Sequence, residues 1–424
     1  MKKHIILLLG LAMVASSCND ILSLYPHNGV APEAVTLADV PTLRVGMYWK
    51  VQELPVRTTY FINDILGGNL TLKGSSSTIS LINNTLSPQS AIVSDAWQGC
   101  YQALYQVNNV YSIAQGLPVG DLRDKVLGEC CYFRAYLHLI LVTHWGDVPL
   151  MLANTVEDVP RTPAEKVWKS IEEDIDHAIE LLDANNDYYY LSSDAAVALK
   201  ARIMLYRGKN QKAYELAESL ISNPRYSLDS FNTIFRNATN KETIFAFKCL
   251  TEDGSNITLS TLFYSYNHPN KGSYVYQPSL DVMTLFEEGD TRKEMTITTL
   301  DNLNFINKYP SGQTGSDPVI ISRLAEMYLI SAEAQGADSG IGRLNELRKA
   351  RGLSELIPGS EAAFKEALML ERRREFVCEN HRYYDLVRTG LAESELGIQS
   401  YQKLLPVPES ELQNNSLLTQ NPNY

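Results

Sequence analysis

Near its start, the chain has residues whose types and spacing direct covalent lipid attachment. Small side chains lead directly into a cysteine in Ala15-Ser16-Ser17-Cys18. They close an apolar stretch, residues 5–15, that follows two lysines and is shorter than the roughly 20 residues needed to cross a bilayer. Cleavage before Cys18 would free its thiol and amine for acyl chains, and each buried methylene contributes about 0.8 kcal/mol to membrane affinity. We predict a signal peptide at residues 1–17 and a lipid on Cys18; the alternative is an ordinary secretory signal with an accidental cysteine.

A second group of side chains combines aromatic rings with amides in a loop-like composition. Such a mixture suits sugar rings, whose flat C–H faces stack on aromatic side chains while amides and carboxylates bind the hydroxyls. The candidates in this stretch are Tyr264, Tyr266, Asn267, His268, Tyr274 and Tyr276. A second loop, with Asn63, Asp64 and Asn69, is predicted to form the opposite wall. The alternative is an alternating strand, with Tyr264 and Tyr266 on one face and Tyr274 and Tyr276 on the other, packed on the scaffold.

Two further aromatic features are less suited to ligand binding. Trp97 is at the beginning of an amphipathic segment, so we predict that it lies in the core. The run Tyr188-Tyr189-Tyr190 is a possible stacking surface, but it falls in a connection between predicted helices.

The chain has no recognisable catalytic or cofactor motif. There is no HExxH, no GxSxG, no Walker loop, and no GxGxxG after a strand, and His138 and His144 do not share a helical face. The charged segment 371–388 is predicted to be a helix whose Glu and Arg residues pair within the fold. We therefore predict no enzyme, no metal and no cofactor, although a glycosidase pair of carboxylates could still be present among the 49 acidic residues.

Charge and cysteine usage exclude other classes of protein. The net charge of −12 becomes more negative when residues 1–17 are removed, which argues against nucleic acid as a partner. Five cysteines follow Cys18, without a CxxC pair, so we predict buried free thiols rather than a disulfide framework or a zinc site. They are Cys100, Cys130, Cys131, Cys249 and Cys378. We expect no membrane-spanning helix in the mature chain.

Helical periodicity dominates the segments that would position these residues. Apolar residues recur every three or four positions in five segments, 97–114, 121–144, 163–182, 193–207 and 210–223. Small alanines at 198, 201, 213 and 217 would let two antiparallel helices approach closely, as in a tetratricopeptide repeat, and residues 323–336 and 340–352 look like a second copy. The predicted fold class is predominantly all-α, with tetratricopeptide-like stacked helix pairs; generic helical hairpins are the alternative.

Between the helical blocks lie long segments rich in Gly, Ser, Thr, Asn and Tyr. Residues 65–95 and 250–280 are predicted to be loops with short strands, and such long loops usually carry function. No linker divides the chain, so we predict one domain, residues 18–424. Its irregular insertions, at about 65–95 and 230–310, would form a loop-rich face toward the ligand.

Six blocks of sequence, in order, resemble the SusD/RagB family of outer-membrane nutrient-binding lipoproteins. The first is Leu24-Tyr25-Pro26, after the lipid cysteine, and the second is LGECCYFRAYLHLILVTHWGDVPLM at 127–151. The others are residues 163–182 with their preceding PRT, ISRLAEMYLISAEA, LERRREFVCENHRYYDLVRTG, and the closing LLPVPESELQNNSLLTQNPNY. Asn423 stands where the family has Gly.

The resemblance implies a tetratricopeptide-type lipoprotein at the outer membrane, facing the cell exterior. It would be the lid of a SusC-like TonB-dependent transporter and would deliver oligosaccharides to it, or peptides in the RagB branch. A surface hydrolase and a lid without ligand specificity are the remaining alternatives. The signature charges are expected to form buried ion pairs rather than ligand contacts; they are Arg134, Arg323, Glu326, Arg382, Asp385 and Arg388.

Overall fold

The computed structural model describes residues 35–73, 79–237, 239–249 and 259–424. The predicted signal peptide and Cys18 lie outside these ranges. Residues 44–424 form one compact unit. The chain up to Leu43 is a separate unit, and in its described part the backbone N–H and the hydroxyl of Thr36 both donate to the Asp39 carboxylate.

Helices account for most of the described structure, as the sequence predicts. The helices are α1 (Val40–Val51), α2 (Arg57–Leu66), α3 (Ile79–Ile82), α4 (Ala91–Gln115), α5 (Asp121–Trp145), α6 (Ala164–Leu181), α7 (Ser193–Tyr206), α8 (Asn210–Ile221), α9 (Phe231–Arg236), α10 (Leu280–Met283), α11 (Lys293–Thr296), α12 (Leu324–Ala350), α13 (Glu361–Glu375), α14 (Arg382–Arg388), α15 (Ala392–Leu396) and α16 (Glu409–Asn414). A π-helical turn, Gln52–Val56, joins α1 to α2.

Six short strands form antiparallel pairs within the same ranges. They are β1 (Leu70–Leu72), β2 (Thr243–Phe247), β3 (Tyr276–Pro278), β4 (Ile297–Leu300), β5 (Leu303–Ile306) and β6 (Val319–Arg323). The pairs are β1 with β3, β2 with β6, and β4 with β5. The described residues among 67–90 and 259–280 are loops with short elements, which agrees with the prediction, although α2 extends to Leu66 and α4 begins at Ala91.

The predicted helix pairs are confirmed. Helix α5 packs on α6, and α7 packs on α8. The alanines at 198, 201, 213 and 217 are fully buried, which allows the close approach that their size suggested. Gly208 turns the chain between α7 and α8 with φ of 67°, a left-handed conformation that glycine adopts without a steric penalty.

The second predicted pair is also present, as two arms of α12. The helix is interrupted at Gly336, whose φ of 69° and ψ of −172° are not helical. A Cβ at Gly340 would lie 2.0 Å from the backbone oxygen of Ala332, a contact that eight residues of straight helix, about 12 Å long, could not make. The chain therefore reverses, and its arms bury Leu329 against Leu344 and their neighbours in one apolar cluster.

The prediction that residues 371–388 form one helix is wrong, although the ion pairs predicted there exist. Helix α13 ends at Glu375 and α14 begins at Arg382. Between them, Cys378 and Asn380 adopt φ of 59° and 68°, which a helix cannot accommodate. The buried Asp64 carboxylate stabilises this break because it accepts hydrogen bonds from the backbone N–H groups of both residues, at 2.7 and 3.1 Å. The interruption depends on a partner more than 300 residues away in sequence.

Asn423 also adopts a left-handed conformation, with φ of 69°. Asparagine populates this region more readily than most residues. An asparagine is therefore compatible with the left-handed backbone at this position.

Helix α5 lies at the centre of the fold. Among the described residues it is the one helix long and apolar enough to cross a membrane, but the qualifying segment is completely buried in the protein. Trp97 is buried against Trp145, with ring centroids 5.3 Å apart, so its predicted place in the core is confirmed. Both features are typical of a core helix surrounded by neighbours.

The five cysteines outside the N-terminal segment are buried thiols that form no disulfide, as predicted. Burial raises the pKa of four of them: to about 12 for Cys131, and likewise upward for Cys100, Cys130 and Cys378. Such thiols stay protonated and unreactive at neutral pH.

A network of buried charges joins α12 and α13 to the strands. Glu375 accepts from Arg292, Arg323 and Arg351 at 2.9, 2.5 and 2.8 Å. Six cations and six carboxylates belong to this network, which is therefore neutral as a whole. They are Arg292, Lys308, Arg323, Arg348, Arg351 and Arg374, with Glu242, Glu287, Asp290, Glu371, Glu375 and Glu379, and all but the half-buried Glu287 are buried.

The other signature charges pair as predicted. Arg134 binds Asp174, and Glu326 binds Arg202. Asp385 accepts from Arg372 and Arg388 at 2.8 and 2.7 Å, and Arg382 reaches Glu395 at 3.3 Å.

These ion pairs predict acid sensitivity. Neighbouring guanidiniums hold the pKa values of Glu375, Glu379 and Asp385 below their usual range in spite of burial. A depressed folded-state pKa stabilises the protein above the unfolded pKa, about 4, and that stability is lost as the pH falls through the folded value. Burial has the opposite effect on Asp64 and Asp317, whose pKa values rise to about 6, so they favour folding less as the pH rises from about 4 to 6.

We therefore expect the free energy of unfolding, measured by urea denaturation, to fall steeply below about pH 4, where the paired carboxylates become protonated. Equal free energies at pH 5 and pH 3 would contradict the assignment of these carboxylates as ionised in the fold.

Candidate functional site

The two predicted walls of the ligand site are brought together by the pairing of β1 with β3. Thr71 lies opposite Gln277, and Leu72 lies opposite Tyr276. The pairing is extended at both ends, because the Lys73 N–H donates to the Val275 carbonyl at 3.1 Å and the Ser279 N–H donates to the Asn69 carbonyl at 2.9 Å. Segments about 200 residues apart in sequence thus form one face, as the sequence argument required. We call it the β1–β3 face: residues 69–73 with 263–279.

An aromatic cluster packs within the loop that forms part of this face. The Tyr264 ring stacks on His268 at 4.3 Å, and Tyr274 packs against Phe305 at 5.0 Å. The Tyr264 hydroxyl donates to the Asn307 side chain at 2.9 Å, and the Tyr274 hydroxyl donates to the Asn304 carbonyl at 2.8 Å. The loop that carries the candidate tyrosines is therefore attached to the β4–β5 hairpin.

The turn after Tyr264 presents two candidates to solvent. The backbone N–H groups of His268 and Gly272 both donate to the Ser265 carbonyl, and the Asn270 N–H donates to His268 Nδ1 at 3.0 Å. Burial lowers the pKa of His268, which is consistent with a neutral ring that accepts this bond. At the tip of the turn, Tyr266 is 73% exposed and Asn267 is also exposed.

The tip is held by a close backbone approach. A Cβ at Gly272 would lie 2.4 Å from the Thr261 carbonyl oxygen and 2.5 Å from that of Tyr264. Only glycine fits there without moving the loop. The turn that displays Tyr266 is thus fixed by packing as well as by hydrogen bonds.

The nine sequence candidates therefore separate by exposure. Tyr266 and Asn267 are exposed, and His268 and Tyr274 are half-buried. The other five are buried, so direct ligand contact by them is not compatible with this conformation. They are Tyr264, Tyr276, Asn63, Asp64 and Asn69. The alternating strand considered as an alternative is not formed at 263–266, where Tyr264 is buried and Tyr266 is exposed because they lie on either side of a turn.

The buried amides and the carboxylate position other parts of the fold. Asn69 donates to Asp64 at 2.8 Å and accepts from the Arg373 Nε at 2.9 Å. Asp64 binds the break between α13 and α14, and Asn63 donates to the Asn380 side chain at 2.7 Å. Burial raises the pKa of Asp64 to about 6 although these donors oppose the shift. The sequence predicted that these polar residues bind a ligand. In the structure, Asn63 and Asp64 instead bind the turn between α13 and α14, and Asn69 joins Asp64 to Arg373.

Sequence reasoning missed the contribution of the β4–β5 hairpin. Phe305 packs against three candidate rings, the Asn307 side chain accepts from the Tyr264 hydroxyl, and the Asn304 carbonyl accepts from the Tyr274 hydroxyl. The dipeptide Asp301-Asn302 could have indicated this hairpin in the sequence. In the structure it is a two-residue turn with both φ values positive, typical of a tight hairpin. The run Tyr188-Tyr189-Tyr190 lies between α6 and α7, as expected from its place in the sequence.

One group of possible metal ligands occurs among the described residues. Atoms of Cys131, Asp174 and His177 lie within 4.8 Å of one another. Arg134 binds both carboxylate oxygens of Asp174, one of them at 2.7 Å from its Nε. The Asp174 carboxylate is therefore already paired with Arg134, and the group is an ion pair beside a buried thiol.

Two family models match the chain. One, described as starch-binding and associating with the outer membrane, matches residues 35–205. The other, described as the SusD family, matches residues 302–424. Between them they include the signature block on α5 and the closing block of the sequence.

Individual relatives agree with this match. SusD-like protein P2 of Formosa agariphila is 26% identical, with 100% of both chains covered. The starch-binding protein SusD of Bacteroides thetaiotaomicron is 32% identical over 34% of this chain and 28% of its own length. Among solved structures, surface glycan-binding protein A of the same organism, in complex with laminarihexaose, superposes with a TM-score of 0.80 at 22% identity, covering 92% of this chain and 100% of that one. This structural likeness establishes the tetratricopeptide-like helical fold.

Proposed function

The chain belongs to the SusD/RagB family, and we propose that it binds oligosaccharides on the β1–β3 face and delivers them to a TonB-dependent outer-membrane transporter. The proposal is carried by the exposed Tyr266 and Asn267 at the tip of a rigid turn, beside the half-buried His268 and Tyr274. An exposed aromatic ring gives a stacking surface for a sugar face, and neighbouring amides can bind hydroxyls.

The relatives support the class of ligand. One is a starch-binding protein, and one solved structural neighbour holds laminarihexaose. Glucans in general present the ring faces and hydroxyls that this surface suits. We propose that the particular glycan depends on side chains at the rim of the face.

We place the protein at the outer membrane, in line with the family model, and propose that the lipid on Cys18 holds it there on the exterior side. The acidic net charge of −12 suits a protein whose membrane attachment comes from acyl chains and not from basic residues. We propose a binding role without catalysis.

The test is calorimetric titration with a panel of oligosaccharides that includes laminarihexaose and maltohexaose, using protein made non-acylated by Cys18→Ala. We expect Tyr266→Ala to weaken the binding of the recognised glycan at least about tenfold, or about 1.4 kcal/mol, because the stacking surface is lost. Since Tyr266 is 73% exposed, the variant should unfold at the same urea concentration as the parent.

Tyr105→Ala is the matched control, because Tyr105 is also an exposed tyrosine (60%) and lies on α4, away from the β1–β3 face in sequence and in its contacts. It should leave glycan affinity unchanged. Equal affinities for the two variants, or failure of every glycan to bind, would overturn the proposed site. Peptides retained through purification and seen by native mass spectrometry would favour the RagB-like alternative.

A further inference from the structure

A cavity of about 690 Å³ opens beside α13, α14 and α15. Its volume lies in the range of small-molecule sites, roughly 300–1,000 Å³. Much of its wall is hydrocarbon, contributed by Phe364, Leu368, Met369, Leu386 and Leu391. The β1–β3 face contributes none of its lining residues, so it is a separate feature of the molecule.

Two arginines give this cavity a cationic end. Arg373 donates through Nε to the Asn69 side chain at 2.9 Å, and within the described residues its guanidinium makes no ion pair. Arg382 also lines the cavity, and its Nη2 lies 3.3 Å from the exposed Glu395 carboxylate. Burial, and then the charge of Arg373, lower the pKa of Arg382 to about 10. The two guanidiniums are thus close enough to repel each other.

Several buried side-chain nitrogens next to these two arginines have no hydrogen-bond partner among the described residues. Arg382 is 92% buried, and its Nε has no hydrogen-bond partner. The same holds for Nη1 and Nη2 of Arg372 and for Nδ1 of His381. All three residues line one small void that shares Met369, Arg373 and Arg382 with the cavity and has no room for a water molecule. Buried charged donors without acceptors are costly, and they favour an anion nearby.

The ion pairs around the cavity leave one lining cation without a partner. Four carboxylates and three cations line it, and three of the carboxylates are paired: Glu333 with Arg388, Glu361 with Lys365, and Glu395 with Arg382. Among the described residues, Arg373 is the one lining cation that makes no ion pair.

We propose that this cavity binds a small carboxylate with an aliphatic body. The carboxylate would lie against the free nitrogens of Arg373 and Arg382, because a guanidinium offers a planar pair of donors that matches a carboxylate. The hydrocarbon would pack on Leu368, Met369 and Leu391. Asn69 is then a positioning residue for Arg373. The proposal does not depend on glycan binding.

The experiment is calorimetric titration of the non-acylated Cys18→Ala protein, in detergent-free buffer, with decanoate, decanol and acetate. We expect decanoate to bind once per chain and the other two compounds at least tenfold more weakly, because each lacks one of the two features that the cavity recognises. Arg373→Gln should weaken decanoate at least tenfold. Arg123→Gln, a partly exposed arginine at the start of α5, is the matched control and should have no effect.

A second variant covers the case in which Arg373→Gln does not fold. Ala362 is exposed in the first turn of α13 and lines the cavity, so Ala362→Trp should block entry without disturbing the core. Loss of decanoate binding in this variant supports the site. Absence of decanoate binding at millimolar concentration, equal affinity for decanoate and decanol, or unchanged affinity in Ala362→Trp would overturn it.

Discussion

Replacing Glu375 with glutamine is expected to lower the free energy of unfolding by about 3–5 kcal/mol. The substitution keeps the shape of the side chain but removes the one carboxylate that Arg292, Arg323 and Arg351 share. All four side chains are at most 1% exposed, so water cannot replace the lost charge. One buried positive charge would remain uncompensated in a network that is otherwise neutral.

Glu366→Gln is the matched control for this prediction, because Glu366 lies on the same helix and is exposed. Its removal should change stability by no more than about 0.5 kcal/mol. The double variant Glu375→Gln, Arg351→Met should be less destabilised than the sum of the two single variants, because it removes one charge of each sign. A loss of under 1 kcal/mol for Glu375→Gln in urea denaturation would mean that this network is not the electrostatic centre of the fold.

Placing even a methyl group at position 340 is expected to destabilise the protein by about 3 kcal/mol or more, the upper part of the range for overpacked sites. A Cβ at Gly340 would lie 2.0 Å from the Ala332 oxygen and 2.8 Å from its carbon, so the two arms of α12 would have to separate. These arms bury the apolar cluster of Ala325, Leu329, Ala332, Leu344 and Leu347 together with α13. The closure of the hairpin and the packing of α13 would therefore weaken together.

Gly342→Ala provides the comparison, two residues further along the same arm. No atom lies within 4 Å of a Cβ built at Gly342. Alanine there should stabilise the helix by about 0.5–1 kcal/mol, because glycine is the poorer helix former. Thermal or urea unfolding of the two variants should thus move in opposite directions. Similar shifts for both would show that the arms do not approach as closely as the structure places them.

The arrangement of the molecule separates its scaffold from its binding surface. Ion pairs and helix pairs hold the signature residues deep in the protein, whereas Tyr266 and Asn267 lie on a short turn at its surface. Such a turn can change in sequence at little cost to the core. This division is consistent with a fold shared at about 22% identity, as with the laminarihexaose complex.

The sequence by itself determined the helices, their pairing and the burial of the signature charges. Helical periodicity is a local pattern, so the helices could be predicted without coordinates. Their pairing could be predicted as well, because small alanines at 198, 201, 213 and 217 allow a second helix to approach closely. The five buried thiols and the core position of Trp97 followed from composition and spacing in the same way.

Only the tertiary structure decided which polar residues face solvent. Asn63, Asp64 and Asn69 have the composition of a binding loop, but the chain buries them against the break after α13, because two left-handed residues there leave backbone N–H groups that need an acceptor. Tyr264 and Tyr266 differ by two positions and have opposite exposures, because a turn and not a strand separates them. The position of Arg373 likewise depends on Asn69, 304 residues away in sequence, which no local pattern records.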